Sequence, residues 1–162
     1  MSNDAPKTML FVCTGNTCRS PMAERLAANL CETMPDWTFR SAGVFASAGA
    51  PASPLAIEAL REKKIALDDH KATPLSPTLL KKAHCVVAMT RDHRNLILGM
   101  QSGISSDQVL LLHQFSTTKP MADVMDPFGG TLDTYRLTRD DIESALSDLI
   151  LAVIRPPNPP TS

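Results

Sequence analysis

The apolar positions of the chain fall into two rhythms that alternate along its length. Met9-Leu10-Phe11-Val12 is an unbroken apolar run, the pattern of a strand buried on both faces, and His84 to Met89 and Val109 to Leu112 repeat it. Trp37 and Phe39 instead alternate with polar neighbours, giving a second strand that ends at Arg40-Ser41-Ala42-Gly43. Between the strands the spacing becomes helical. Met22, Leu26 and Leu30 form one face of a helix that stops before Met34-Pro35, while Ile142, Ala145, Leu146, Leu149, Ile150 and Val153 describe a closing helix that starts near Leu132. Ser20-Pro21, Ser53-Pro54 and Ser76-Pro77 each place an N-cap residue before a proline at the first helical position. They predict helix starts, the second running to about Lys63 and the third to about Ala83. Thr90 caps a further helix containing Leu96 and Ile97. His113 to Gly130 has no clear period, and a loop of that length in a compact domain is usually functional or disordered.

Strands that alternate with helices imply an α/β domain with an open, doubly wound sheet of four parallel strands and flanking helices. In such a sheet the ligand site lies beyond the C-terminal ends of the strands, where the strand order reverses. With 162 residues, 43% of them hydrophobic, one domain over 1–155 suffices to bury a core. Arg155-Pro156-Pro157-Asn158-Pro159-Pro160-Thr161-Ser162 cannot continue the last helix, so 156–162 is expected to be a disordered Pro-rich tail.

Charge narrows the partners. The formal net charge is −1 and basic residues are dispersed among acidic ones, which leaves no electrostatic footprint for nucleic acid or an anionic membrane. Residues 1–7 lack a signal-peptide core and no apolar run reaches the roughly 18 residues of a membrane span, so a cytoplasmic protein is expected. Cys13, Cys18, Cys31 and Cys85 form no C-x-x-C pair and no zinc-type spacing with His70, His84, His93 or His113. No metal or other cofactor is expected, and Cys31, on a helix, and Cys85, in a strand, read as small buried hydrophobes.

The chemistry concentrates after the first strand. In Cys13-Thr14-Gly15-Asn16-Thr17-Cys18-Arg19-Ser20-Pro21 a cysteine and an arginine bracket a tight polar loop that leads into a helix start. Gly15 can take a positive φ at little cost and Asn16 tolerates left-handed geometry, so the N–H groups from Thr14 to Arg19 can turn inward as an anion cradle. Those N–H groups, the helix pole and Arg19 favour a thiolate at Cys13, which makes it a nucleophile. The planar fork of Arg19 matches two phosphoryl oxygens, and the Ser20 hydroxyl is placed to steady the thiolate as it leaves in a second step.

This motif resembles the phosphate-binding loop of the low-molecular-weight protein tyrosine phosphatase family, most closely its protein arginine phosphatase branch. Arg40-Ser41-Ala42-Gly43-Val44-Phe45-Ala46, Ala88-Met89-Thr90 and Asp126-Pro127-Phe128-Gly129-Gly130 extend the resemblance over nearly the whole chain. It implies a flavodoxin-like phosphatase fold and a monomeric enzyme that acts on phosphorylated proteins through a cysteinyl-phosphate. Cys13, Arg19 and Asp126 would be catalytic, with Thr14, Gly15, Asn16, Thr17, Cys18, Ser20 and Phe128 binding phosphate and substrate. Asp126 would be the general acid, and desolvation by Val124, Met125 and Phe128 would favour its protonated form. The resemblance also implies that side-chain hydrogen bonds from Asn16 and Ser41 hold the loop, although Ser41 reads equally as an ordinary strand-end hydroxyl.

Phosphotyrosine members of the family carry a branched aliphatic residue where this chain has Thr17, and paired aromatics where it has Phe128-Gly129-Gly130. These departures favour phosphoarginine, whose guanidinium wants a narrower, partly polar slot and a carboxylate such as Asp126. Phosphotyrosine is the alternative. A thiol-dependent arsenate reductase needs further cysteines, and Cys85 has no partner nearby in the chain; a module that only binds phosphoryl groups needs neither Cys13 nor Asp126. Cys18, five residues from Cys13, either closes a protective disulfide with it under oxidation or simply packs beneath the loop.

Overall fold

A computed structural model describes residues 4–155. In chain order it comprises β1 (Lys7–Cys13), α1 (Arg19–Leu30), β2 (Trp37–Gly43), α2 (Pro54–Arg61), α3 (Pro77–Lys82), β3 (Cys85–Ala88), α4 (Arg91–Gly99), β4 (Val109–Leu111) and α5 (Leu132–Val153). The Pro-rich tail expected at 156–162 lies outside the described residues.

All four strands pair in parallel, in the order β2-β1-β3-β4. Alternation along β1 explains why both faces need cover. Met9, Phe11 and Cys13 point to one side, where Met22 and Leu26 of α1, Leu60 of α2 and Ile142, Leu146 and Leu149 of α5 pack. Leu10 and Val12 point to the other, against Leu80 of α3 and Ile97 of α4. Phe11, Met9, Met22 and Leu26 are fully buried, each worth about 1.5–3 kcal/mol of transfer free energy. From β1 the chain steps through α1 to β2 on one side, then crosses back through α2 and α3 to β3 on the other. The order therefore reverses at β1, and a crevice opens between the C-terminal ends of β1 and β3.

The predicted helix starts divide into two kinds. Ser76 and Thr90 cap as expected, accepting from the backbone N–H groups of Leu79 and His93. Ser53 sits at the N-cap of α2 but its side chain caps nothing; its hydroxyl faces Tyr135 OH at 3.0 Å instead. Ser20 is not a cap. The helix α1 begins at Arg19 with Cys18 at the N-cap position and no side-chain cap, because the Ser20 hydroxyl is turned inward to the Cys13 thiol. Cys31 lies just past α1 rather than on it, though buried as expected.

Candidate active site

The loop between β1 and α1 is held from outside by its carbonyl groups. Cys13 O and Thr14 O accept from Val44 N and Phe45 N at 3.0 and 2.9 Å, and Thr17 O accepts from Ser53 N at 2.9 Å. Asn16 O accepts from His70 Nε2 at 2.7 Å; a carbonyl only accepts, so the His70 hydrogen sits on that nitrogen. In a trans peptide plane the C=O and the following N–H point in opposite directions. Fixing these four carbonyls outward therefore aims the N–H groups of Thr14, Gly15, Thr17 and Cys18 inward. Among the described residues, no backbone N–H from Thr14 to Arg19 has an acceptor within the protein.

Asn16 supplies the bend. It is buried at φ 55, the left-handed region, whereas Gly15 does not adopt a positive φ, contrary to expectation. The asparagine side chain stabilises that turn itself: Oδ1 accepts from Thr73 N at 2.9 Å and Nδ2 donates to Ser20 Oγ at 2.8 Å. Ser41, offered as a second brace, makes no such bond; its buried Oγ has no partner among the described residues, since the Thr73 amide and Ser20 hydroxyl already satisfy Asn16. The necessary residue on β2 is Gly43, where an added Cβ would lie 2.5 Å from Thr14 O and 2.9 Å from Asn16 N.

Within the curl, Cys13 Sγ is 2.9 Å from Ser20 Oγ. Arg19 is buried; its Nη1 donates to Val124 O at 3.1 Å, while Nη2 is 3.5 Å from Thr14 Oγ1 and 3.6 Å from Asp126 Oδ2. Asp126 Oδ1 accepts from Phe128 N at 3.1 Å, which closes the Asp-Pro turn and leaves Oδ2 towards Arg19. Gly130 permits the tight return, as a Cβ there would meet Pro127 O at 2.9 Å. The expected apolar jacket around Asp126 is not formed: its side chain is 54% exposed, Met125 and Phe128 turn outward, and only Val124 is buried. The cause is the turn itself, which projects both residues away from the sheet.

Cys13, Arg19, Asp126 and Phe128 together with Thr14, Gly15, Thr17 and Cys18 thus line one cavity of about 240 Å³ at the crevice; Asn16 and Ser20 lie buried beneath it. Cys18 Sγ faces Tyr135 OH at 3.4 Å, and all four thiols are free. Burial pushes the Cys85 thiol up to about 12 and raises that of Cys31, which disfavours a thiolate at either. His70, His93, Tyr135, Ser53, Thr73 and Gly43 all serve the loop and were not expected from the sequence. Each lies 27 to 117 positions along the chain after the loop residue it meets, a range with no local signature; for Gly43 the strand-end Ser-Ala-Gly was the only hint.

Residues 8–156 match the family model for low molecular weight phosphotyrosine protein phosphatase. The chain is 47% identical over 142 residues to a protein-arginine-phosphatase of Bacillus subtilis, covering 87% of this chain and 93% of that protein. It is 35% identical to the low molecular weight protein-tyrosine-phosphatase PtpB of Staphylococcus aureus, covering 87% and 95%. Among solved structures, a cysteine-to-serine mutant of the YwlE arginine phosphatase with a phosphorylated active-site serine superposes with a TM-score of 0.83. Its sequence is 44% identical, and the match covers 93% of this chain and 97% of that one.

Proposed function

The chain belongs to the low molecular weight phosphotyrosine protein phosphatase family and is a cysteine-dependent protein phosphatase; from that premise we propose that it hydrolyses phosphoarginine in proteins, with Cys13, Arg19 and Asp126 as its catalytic residues. The observation that carries the assignment of roles is the single cavity in which Cys13 Sγ, the Arg19 guanidinium and the Asp126 carboxyl converge.

In the first step Cys13 Sγ attacks phosphorus in line, the S–P bond forms and the P–N bond breaks. Asp126, as a carboxylic acid, hands its proton to the departing guanidine nitrogen. Arg19 and the inward N–H groups hold the equatorial oxygens, whose charge is greatest at the trigonal-bipyramidal stage. In the second step a water attacks the cysteinyl-phosphate, the Asp126 carboxylate takes the water proton, and the S–P bond breaks. The thiolate returns to the Ser20 hydroxyl, and phosphate leaves.

Phosphoarginine is favoured over phosphotyrosine on two grounds. The relatives that share 47% and 40% of their residues with this chain are protein-arginine-phosphatases, whereas the tyrosine phosphatase relative shares 35%. Thr17 puts a small side chain with a hydroxyl on the cavity wall, suited to a slot that is narrow and partly polar. Phosphotyrosine is the second reading, since Phe128 exposes 80% of its surface beside the mouth and can flank a phenyl ring. A side-by-side rate measurement on phosphoarginine and phosphotyrosine peptides decides: the former should be hydrolysed faster, and a preference for the latter overturns the assignment. No helix of the described residues is long and apolar enough to cross a membrane. We place the enzyme in the cytoplasm as a monomer acting on phosphorylated proteins.

A further inference from the structure

Thr14 Oγ1 lies between two groups, His93 Nε2 at 2.8 Å and Arg19 Nη2 at 3.5 Å. The contact to His93 bridges the crevice, because Thr14 follows β1 and His93 belongs to the first turn of α4, after β3. His93 is buried, with its backbone N–H held by Thr90 Oγ1 at 3.1 Å and its Nδ1 without a partner among the described residues.

The hydrogen positions follow from donor counting. A guanidinium only donates, so the threonine oxygen accepts from Arg19. If the threonine donated to Nε2, the imidazole hydrogen would sit on Nδ1 as a buried N–H with no acceptor, a rarer defect than an unpaired acceptor. The hydrogen therefore sits on Nε2 and points at Thr14. Burial and the neighbouring Arg19 charge lower the His93 pKa to about 4, so near neutrality Nδ1 stays a bare acceptor. With both lone pairs of Oγ1 engaged, the O–H of Thr14 is left the remaining tetrahedral direction and has no acceptor among the described residues, and Thr14 lines the cavity.

We propose that His93 is a positioning residue that makes the Thr14 hydroxyl an obligate hydrogen-bond donor to the phosphoryl group held in the loop. Threonine and histidine act here as one unit. The proposal rests on the reading of the Cys13–Arg19 loop as a phosphoryl site. Without Nε2–H the threonine hydroxyl is free to rotate, and it can present a lone pair to an anionic oxygen.

The test uses the full chain and two readouts, calorimetric titration with inorganic phosphate and kcat and KM on p-nitrophenyl phosphate. His93→Gln keeps an N–H where Nε2 lay, His93→Asn does not, and Thr14→Val removes the hydroxyl without changing the shape. His93→Asn and Thr14→Val should each weaken phosphate binding and kcat/KM by about 10–100-fold, the worth of one hydrogen bond to a charged group. The double variant should be no worse than either, and His93→Gln should recover most of the loss. The proposal is overturned if the two losses multiply in the double variant, if Gln is no better than Asn, or if Thr14→Val binds phosphate like the parent. Should the His93 variants not fold, Thr14→Ser against Thr14→Val decides, with serine expected to retain affinity and equal affinity refuting the donor role. A parent that binds phosphate but does not turn over the ester would remove the phosphatase reading, while the phosphate titrations still judge His93.

Discussion

Cys13 Sγ and Ser20 Oγ lie 2.9 Å apart, and the serine oxygen is itself a hydrogen-bond acceptor for Asn16 Nδ2 at 2.8 Å. With Asn16 filling one lone pair, the serine hydroxyl can donate to sulfur at 2.9 Å or to Ala42 O at 3.4 Å, and the nearer sulfur draws it most strongly when it carries full negative charge. On the proposed mechanism that is the case when the thiolate departs from phosphorus in the second step.

Ser20→Ala should therefore slow hydrolysis of the cysteinyl-phosphate more than its formation. The expected result is a burst of leaving group close to the enzyme concentration, then a steady state reduced about 10–100-fold. Rapid-quench kinetics on an aryl phosphate checks this. A uniform slowing without a burst would mean that the serine matters for attack instead.

Asp126→Asn should cost about 10²–10⁴-fold on phosphoarginine, the range of general acid catalysis, and far less on an activated aryl phosphate whose leaving group needs no proton. The carboxyl is exposed, so the expectation rests on its place in the cavity beside Arg19. Equal losses on both substrates would identify Asp126 as a structural brace for Arg19, which its 3.6 Å approach to Nη2 also allows.

The parts of this molecule that could be read from its sequence are those encoded by neighbours in the chain. Buried runs such as Met9–Val12 declare strands by themselves, and their alternation with helical spacing leaves little but a parallel sheet. Cys13 and Arg19 sit in one contiguous loop, so they were legible together, and Asp126 was legible through the family pattern. What holds the loop was not legible, because His70, Ser53 and Val44 reach it only after the chain has folded. Ser20 shows the cost of local reasoning: it shares the Ser-Pro dipeptide with Ser76, yet tertiary structure turns its hydroxyl to sulfur.

Gly43→Ala tests the outward clamp. A Cβ 2.5 Å from Thr14 O must push the loop away from β2, and overpacking of this kind costs about 1–3 kcal/mol. Stability should fall by that amount in denaturant unfolding, and phosphate affinity should fall with it. Gly15→Ala is the control for stability alone, as its Cβ meets nothing closer than Thr17 Oγ1 at 3.7 Å. If Gly43→Ala binds phosphate like the parent, the inward N–H groups do not depend on the clamp.

Stability should also depend on pH through His93. Burial, then the Arg19 charge, lowers its folded-state pKa from 6.5 to about 4, against the opposing pull of Asp92, Asp123 and Asp126. Above 6.5 both folded and unfolded forms are neutral and the stability is fully present. As pH falls from 6.5 towards 4 the unfolded chain takes up a proton that the folded one refuses, so stability declines by at most about 1.4 kcal/mol per pH unit, levelling off below 4. Glu62, held near 2 by hydrogen bonds from Arg136 and Arg139, contributes its own loss only below about 4.5. Between pH 4.5 and 6.5, then, unfolding free energies of His93→Gln should show a slope shallower by up to one proton. An unchanged slope would mean that the imidazole is protonated in the folded protein.

Thr17 is the residue on which to test which leaving group the site prefers. Its side chain lines the cavity, and Thr17 O is pinned to Ser53 N at 2.9 Å, so the residue cannot retreat when it is enlarged. Isoleucine adds an ethyl-sized apolar extension and removes the hydroxyl. A guanidine leaves phosphorus only when its bridging nitrogen is protonated, which requires that nitrogen to sit against Asp126, so a small displacement is felt in the rate. Thr17→Ile should push the guanidinium away from Asp126 while offering a phenyl ring apolar contact. Differences of about 1–3 kcal/mol in such contacts correspond to roughly 10–200-fold in relative rate. Turnover of a phosphoarginine peptide should fall by that factor, and turnover of a phosphotyrosine peptide should hold or rise. If both fall together, Thr17 supports the loop without selecting the substrate, and the phosphoarginine assignment loses its structural ground.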